Sequence, residues 1–172
     1  MIRNLLAILI CLANASAFSA PAPVKAPKSL VAQVARLTEL LRDSYAVGYP
    51  DATMVQIIKR KDGDVLALTV FTVEGFGGGN NHTQYLAVFS SDGSVSGEAH
   101  FMFMDVIPIG GKGWRGVESL KARVSQPSNG QITNMAIDAL EVTGNDAPNF
   151  PSKKVTVNVL LKDGRLTEQT AK

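Results

Sequence analysis

The chain has 172 residues, with 17 basic against 15 acidic side chains and a single cysteine, Cys11. This length suits one domain with a sizeable core and argues against two. The nearly balanced charge gives no basis for nucleic-acid binding, which needs a clustered positive surface. One cysteine excludes an internal disulfide framework and a thiolate metal site.

The first 17 residues have the layout of a secretory signal peptide. Arg3 supplies the positive charge, an uninterrupted apolar run extends from Leu5 to Ala13, and Ala15-Ser16-Ala17 fits the small-x-small cleavage rule. A membrane anchor is the alternative, but a helix needs about 20 apolar residues to span a bilayer. The sequence therefore predicts a signal peptide over residues 1–17 and a periplasmic or secreted mature chain without a membrane span.

The predicted linker covers residues 18–28 and includes APAPVKAP, whose alternating prolines favour an extended chain. A single globular domain is expected over residues 29–172, and it opens with an amphipathic helix. Ser29 is expected to cap this helix, and Gly48 and Pro50 are expected to stop it. The apolar stripe predicted to face the core comprises Leu30, Val34, Leu37, Leu41 and Tyr45.

From Thr53 onward, β-branched, aromatic and alternating residues between turn signals replace the helical period. Asp-Gly pairs at 62–63, 92–93 and 163–164 favour tight hairpins, so neighbouring strands should be antiparallel. The short connections leave no room for the crossover helices of a parallel sheet. The predicted strands are 53–60, 64–74, 83–90, 94–107, 114–125, 131–143 and 153–162.

These elements predict an α+β domain, in which the N-terminal helix packs on the concave side of a strongly bent antiparallel β-meander of about seven strands. The alternative is a two-sheet β-sandwich with the helix outside. The segments DVLALTVFTV and QYLAVF are apolar on both faces, which is typical of central strands. The segment RGVESLKARVSQ alternates instead, which indicates a strand with one solvent-exposed face.

The sequence satisfies no familiar catalytic or cofactor motif. Asn80 stands where the dinucleotide fingerprint requires its last glycine, and a strand pattern follows it. In the second glycine cluster, IGGKGWRG, Gly113 replaces the Ser or Thr of a P-loop. His82 and His100 are the only imidazoles and lack helical ligand spacing, so neither a metal nor a cofactor is predicted.

The stretch GFGGGNNH, residues 75–82, is longer than a two-residue hairpin turn needs to be. Glycine permits positive φ and close approach of another chain or ligand. We therefore predict a binding rim built from both glycine clusters, with Phe76 packed into the core. The predicted rim comprises Asn80, Asn81, His82, Lys112, Trp114 and Arg115. A mobile connection between strands is the alternative for the first cluster, and a buried tryptophan at a strand start is the alternative for Trp114.

The lack of a catalytic motif favours a ligand- or protein-binding module over an enzyme. The expected partner is a small ligand or another envelope protein. One alternative is an envelope hydrolase that uses Glu98, His100 or Asp105 in a groove. Another is a secreted inhibitor of a different organism's enzyme.

Two segments, GGGNNHTQYLAVF and GNDAPNFPSKKVTVNVLLKDGRL, resemble in layout parts of small exported bacterial envelope proteins of uncharacterised function. The resemblance implies an envelope location and no known activity.

Overall fold

The computed structural model describes residues 26–60, 64–91, 100–126 and 132–170. The predicted signal peptide and most of the predicted linker lie outside these ranges. Within them the chain forms one α-helix, a short 3-10 helix and an antiparallel sheet of ten strands. The prediction of an α+β fold is therefore confirmed.

The helix precedes the sheet in the chain. No described helix is long and apolar enough to cross a membrane. The elements are α1 (Lys28–Leu41), β1 (Val47–Gly48), the 3-10 helix (Pro50–Ala52), β2 (Met54–Lys59), β3 (Val65–Phe76), β4 (Asn81–Ser91), β5 (Met102–Gly111), β6 (Arg115–Gly116), β7 (Arg123–Ser125), β8 (Ile132–Glu141), β9 (Lys153–Lys162) and β10 (Arg165–Gln169).

The strands follow one another across the sheet in chain order, as in a meander. Neighbouring strands follow the order β3, β4, β5, β6, β8, β9, β10. Strands β1 and β2 both pair with the edge of β3 that faces away from β4. Strands β6 and β7 both pair with the same edge of β8, one after the other. Every described pair is antiparallel, as predicted. The details differ from the prediction in three ways: the strand expected at 114–125 is divided into β6 and β7, β1 and β10 are additional strands, and β5 extends to Gly111, past the predicted end at 107.

The hairpin between β9 and β10 turns at Asp163 and Gly164, which have φ angles of 51° and 75°. Positive φ at both central residues is the requirement of a type I′ turn, so this Asp-Gly prediction is confirmed. The other two Asp-Gly pairs lie outside the described residues. The strands that flank them, β2 with β3 and β4 with β5, do pair antiparallel.

The helix is shorter than the sequence pattern suggests. It begins at Lys28 after Pro27, so Ser29 is its second residue and not its cap, and it ends at Leu41. The reason lies in Asp43, whose carboxylate accepts hydrogen bonds from the N–H groups of Tyr45 and Ala46 at 2.9 and 2.7 Å. Such a local turn competes with helical backbone bonds. Tyr45 therefore lies outside the helix and is exposed.

Alternate residues of β3 enter two different apolar clusters, one on each face of the sheet. The first cluster contains Leu66, Leu68 and Val70 of β3 with Met135, Ile137, Val157, Val159, Leu161 and Leu166. The second contains Ala67, Phe71 and Val73 of β3 with Leu30, Val34 and Leu37 of α1. The strand β3 is thus covered on both sides, as its sequence predicts, and the stripe of α1 faces the core.

Candidate functional site

Three connections meet at one end of the sheet, because every second connection of an antiparallel meander lies at the same end. They are the β3–β4 turn at 77–80, the β5–β6 turn at 112–114 and the β8–β9 loop at 142–152. The segment 43–46, which follows α1, joins them. The two glycine clusters of the sequence fall in the first two connections.

The stretch GFGGGNNH is an ordered hairpin, because β3 and β4 extend into it and leave a turn of only residues 77–80. Gly75 forms a bulge opposite β4 and has a φ of 93°. Gly77 and Gly78 have φ angles of 66° and 73°, and the N–H of Gly78 donates to the carbonyl of Gly75 at 2.9 Å. Glycine adopts these angles without the strain that a side chain brings. Phe76 is partly buried against the second cluster, as predicted.

The segment that follows α1 packs closely against the glycine turn, at the positions where the sequence suggests close approach of another chain or ligand. A Cβ on Gly75 would lie 3.4 Å from the carbonyl oxygen of Tyr45. The N–H of Gly77 donates to the Asp43 carboxylate at 2.9 Å. This bond, followed by those from Ala46 and Tyr45, lowers the pKa of Asp43 below its usual value. Asp43 thus fixes the glycine turn to the end of the helix.

Lys112 joins the two glycine clusters. Its ammonium group donates to the side-chain oxygen of Asn80, and its backbone N–H donates to the carbonyl of His82 at 3.2 Å. The N–H of Gly113 donates to the carbonyl of Pro148 at 2.8 Å, which attaches the β8–β9 loop. The structure therefore brings together the first and second halves of the rim predicted from the sequence.

The β8–β9 loop is held by Asp146. One oxygen of its carboxylate accepts hydrogen bonds from the N–H of Thr143 at 2.7 Å and from the hydroxyl and the N–H of Ser152 at 3.0 and 3.2 Å. The N–H of Thr143 is the main cause that lowers the pKa of the Asp146 carboxyl, and Ser152 adds to it. The loop presents Asn149 and Phe150 to solvent, and Phe150 is 75 % exposed. These two residues were absent from the rim predicted from the sequence.

Trp114 and Arg115 have different surroundings. Trp114 is 39 % exposed, and the guanidinium of Arg115 lies 4.1 Å from the centre of its ring. Arg115 itself is buried, donates from Nε to the carbonyl of Ile109 at 2.5 Å and pairs through both terminal nitrogens with the carboxylate of Glu168. The structure therefore places Arg115 beneath the predicted rim, where it supports Trp114 from below.

Two adjoining clefts cross this end of the molecule. The first, of about 450 Å³, is lined by Tyr45, Val47, Glu74, Gly75, Gly79, Asn80, His82 and Asn149. The second, of about 180 Å³, shares His82 and Asn149 with the first and continues past Gly111, Arg115 and Pro148. Asn81 lies beside them, exposed, with its amide 3.5 Å from the carbonyl of Phe76. We call the combined surface of Tyr45, Asn80, His82, Lys112, Trp114, Asn149 and Phe150 the loop-end surface.

The residues proposed for the alternative hydrolase, Glu98, His100 and Asp105, do not form a described catalytic group. Glu98 lies outside the described residues, and His100 is exposed. Asp105 is half-buried and accepts a hydrogen bond from the N–H of Leu166 at 2.8 Å, so its carboxylate links β5 to β10. In the described ranges, no group of three or more His, Cys, Asp or Glu side chains is placed to hold a metal ion.

Comparison of the chain with protein-family models, with curated proteins and with solved structures found no match. What the loop-end surface does is therefore inferred from its own chemistry.

Proposed function

We propose that this protein is an exported binding module of the cell envelope, which holds a small ligand or another envelope protein at the loop-end surface. The observation that carries the proposal is the exposure of three aromatic side chains at this end of the sheet. Tyr45 lines the first cleft, and Trp114 and Phe150 directly adjoin Arg115 and Asn149, which line the second. Exposed aromatic groups cost free energy in water and are enriched where proteins make their strongest contacts. Their position on connections at one end is typical of binding sites on a rigid β-scaffold.

The rigidity of the loop-end surface supports the same proposal. Asp43 fixes the glycine turn, Lys112 joins the two glycine clusters, and Asp146 holds the β8–β9 loop. A surface whose loops are ordered before binding loses less conformational entropy when a partner arrives. Three separate hydrogen-bonding centres for three connections are more than chain reversal requires.

The proposed surface lies at one end of a sheet that is itself folded. We infer that the sheet folds over so that its two halves enclose the first cluster while α1 lies outside, which corresponds to the sandwich alternative. The support is that Leu166 of β10 bonds to Asp105 of β5, and that the Gln56 side chain of β2 bonds to the backbone of Ala122 at 2.7 and 3.0 Å. Each end of the sheet is thus bonded to its middle part, β10 to β5 and β2 to the segment between β6 and β7.

Affinity capture with a matched pair of variants tests the proposal. The mature chain is immobilised and exposed to a cell-envelope extract of the source organism, and retained material is quantified for wild type, Phe150→Ala and Met102→Ala. Phe150 belongs to the loop-end surface, whereas Met102 is comparably exposed at the start of β5, away from the β5–β6 turn. We expect Phe150→Ala to weaken retention about tenfold, a cost of about 1.4 kcal/mol.

Both variants should keep the melting temperature of the wild type, because substitutions at exposed sites change stability by about 0.5 kcal/mol or less. Equal retention by wild type, Phe150→Ala and Met102→Ala would contradict a binding role for the loop-end surface.

A further inference from the structure

We infer that the loop-end surface binds an uncharged oligosaccharide, which lies extended across the two adjoining clefts. This inference rests on the proposed binding function and adds the chemical class of the ligand. Four features of the loop-end surface carry it: the backing of the aromatic rings, the amide groups, the balance of charge and the shape of the clefts.

Two of the aromatic rings are supported on one side and open on the other. The ring of Tyr45 lies over Gly78, where an added Cβ would come within 3.7 Å of it, yet the residue is 69 % exposed. The ring of Trp114 rests on the guanidinium of Arg115. A fixed ring with one free face is a platform for the C–H groups of a sugar ring, because the aromatic face carries partial negative charge and those hydrogens carry partial positive charge.

The polar groups of the clefts are mainly amides. Asn80 accepts from Lys112 through its carbonyl oxygen, and among the described residues its NH₂ group has no acceptor. In the same ranges the side chain of Asn149 makes no hydrogen bond. An amide offers a donor and an acceptor side by side, which suits a hydroxyl group that is itself both donor and acceptor. Adjacent hydroxyls of a sugar are therefore suitable partners for Asn80 and Asn149.

The charges near the clefts are of both signs, so no ionic ligand is favoured. Glu74 lines the first cleft and Glu118 the second, while Lys112 reaches Asn80 beside them and Arg115 is paired with Glu168. An acidic or basic ligand would need an excess of the opposite sign. An extended peptide that adds a strand would need a long free strand edge, whereas the edge strand at the first cleft, β1, has only two residues.

The shape of the clefts favours a chain of sugar rings over a single ring. The first and second clefts, of about 450 and 180 Å³, adjoin each other and share His82 and Asn149 in their walls. A ligand that occupies both makes two sets of contacts for one loss of translational freedom. Affinity should therefore rise with the number of linked rings.

Fluorescence of Trp114, the only tryptophan of the chain, provides a direct test. The full mature chain is titrated with neutral monosaccharides and with the corresponding tetrasaccharides of glucose and of N-acetylglucosamine, with calorimetry as a second readout. We expect at least one neutral tetrasaccharide to bind saturably, about tenfold or more tighter than its monosaccharide. Tyr45→Ala and Asn149→Ala should each weaken that binding about tenfold, and Met102→Ala should leave it unchanged.

A second arm identifies the class of ligand in the envelope extract without knowing its structure. A mixture of glycosidases cleaves sugar chains, and a protease destroys proteins, so the extract is treated with one or the other before capture. Loss of Phe150-dependent retention after the glycosidases, and its survival after protease, supports the oligosaccharide. The reverse result overturns the oligosaccharide inference but leaves the proposed binding function standing. A protein that binds only acidic sugars has the same consequence. If wild type and Phe150→Ala retain equal amounts from the untreated extract, the proposed binding function itself is overturned.

Discussion

Asp43 determines the local structure of two separate parts of the chain. Its carboxylate ends the helical turn by accepting from Tyr45 and Ala46, and it fixes the glycine turn by accepting from Gly77. Each of these N–H groups favours the charged carboxylate, and the pKa of Asp43 is lowered accordingly. A group whose folded pKa is lowered contributes stability above its unfolded pKa, about 3.9, and the contribution is lost as pH falls through the folded pKa.

Asp43→Asn should therefore be less stable than the wild type at pH 7, and the difference should shrink below about pH 4. The asparagine keeps the size of the side chain but cannot accept at both ends, so it loses the charge and part of the hydrogen bonding. Urea unfolding of both proteins at pH 7 and pH 3 measures the two differences. An equal difference at the two pH values would show that the Asp43 charge does not stabilise the turn.

The sequence predicts the burial of a side chain where residues close in the chain determine it. The burial of Leu30, Val34 and Leu37 is predicted because helical spacing is a local property. The burial of Arg115 is not predicted, because its partner Glu168 lies 53 residues away and no local pattern connects the two. The helical spacing also predicts Tyr45 in the helix, but the hydrogen bonds of Asp43 outweigh that spacing.

The helix α1 provides a matched comparison of a buried and an exposed leucine. Leu30 is fully buried in the second cluster, whereas Leu40 is 79 % exposed on the same helix. Leu30→Ala should reduce the free energy of unfolding by about 2–5 kcal/mol, because it removes buried methyl groups and leaves a cavity. Leu40→Ala should change it by about 0.5 kcal/mol or less. Urea denaturation at pH 7 measures both.

Because the two substitutions remove the same atoms from the same helix, differences in helix propensity cancel. Comparable losses for Leu30→Ala and Leu40→Ala would show that α1 is an external arm and not part of the core.

The division of the strand predicted at 114–125 has a physical cause that the local sequence does not show. The side chain of Gln84 bonds to both the N–H and the carbonyl of Val117, at 2.7 and 3.0 Å. The side chain of Gln56 does the same for Ala122. These amides replace the partner strand at the two ends of the segment between β6 and β7, so Val117 and Ala122 leave the ladder without losing their hydrogen bonds. The predicted alternation of exposed and buried residues nevertheless holds from Ser119 to Ser125.

The chain order of the strands explains why the loop-end surface could be predicted in part. A meander brings alternate connections to one end, so the clusters around Asn80 and Lys112 had to be neighbours once antiparallel pairing was predicted. The same rule applies to the β8–β9 loop, whose run from Asp146 to Ser152 carries turn residues and an exposed aromatic. The segment 43–46 could not be placed this way, because it precedes the sheet and reaches it through Asp43.

Side-chain contacts connect the last strand, β10, to β5 and β6 in the middle of the strand order. Asp105 of β5 accepts from the N–H of Leu166 in β10, and Arg115 of β6 pairs with Glu168 of β10. Arg115 is the more buried partner of its ion pair, with 8 % of its side chain exposed against 37 % for Glu168. A buried guanidinium that loses its carboxylate keeps the cost of leaving water without the compensating pair.

Glu168→Gln should therefore lower the free energy of unfolding by about 1–3 kcal/mol, with the upper part of that range reduced by the partial exposure of Glu168. The control is Glu39→Gln, the same substitution in the exposed pair with Arg42 on α1, which should have a much smaller effect. The guanidinium of Arg115 also supports Trp114, so Glu168→Gln should shift the tryptophan emission of the folded protein, whereas Glu39→Gln should not. Urea unfolding monitored by Trp114 fluorescence gives both quantities in one experiment. If the two variants unfold alike and emit alike, the contact between β6 and β10 does not hold the sheet together, and the support for the Trp114 ring must come from elsewhere in the fold.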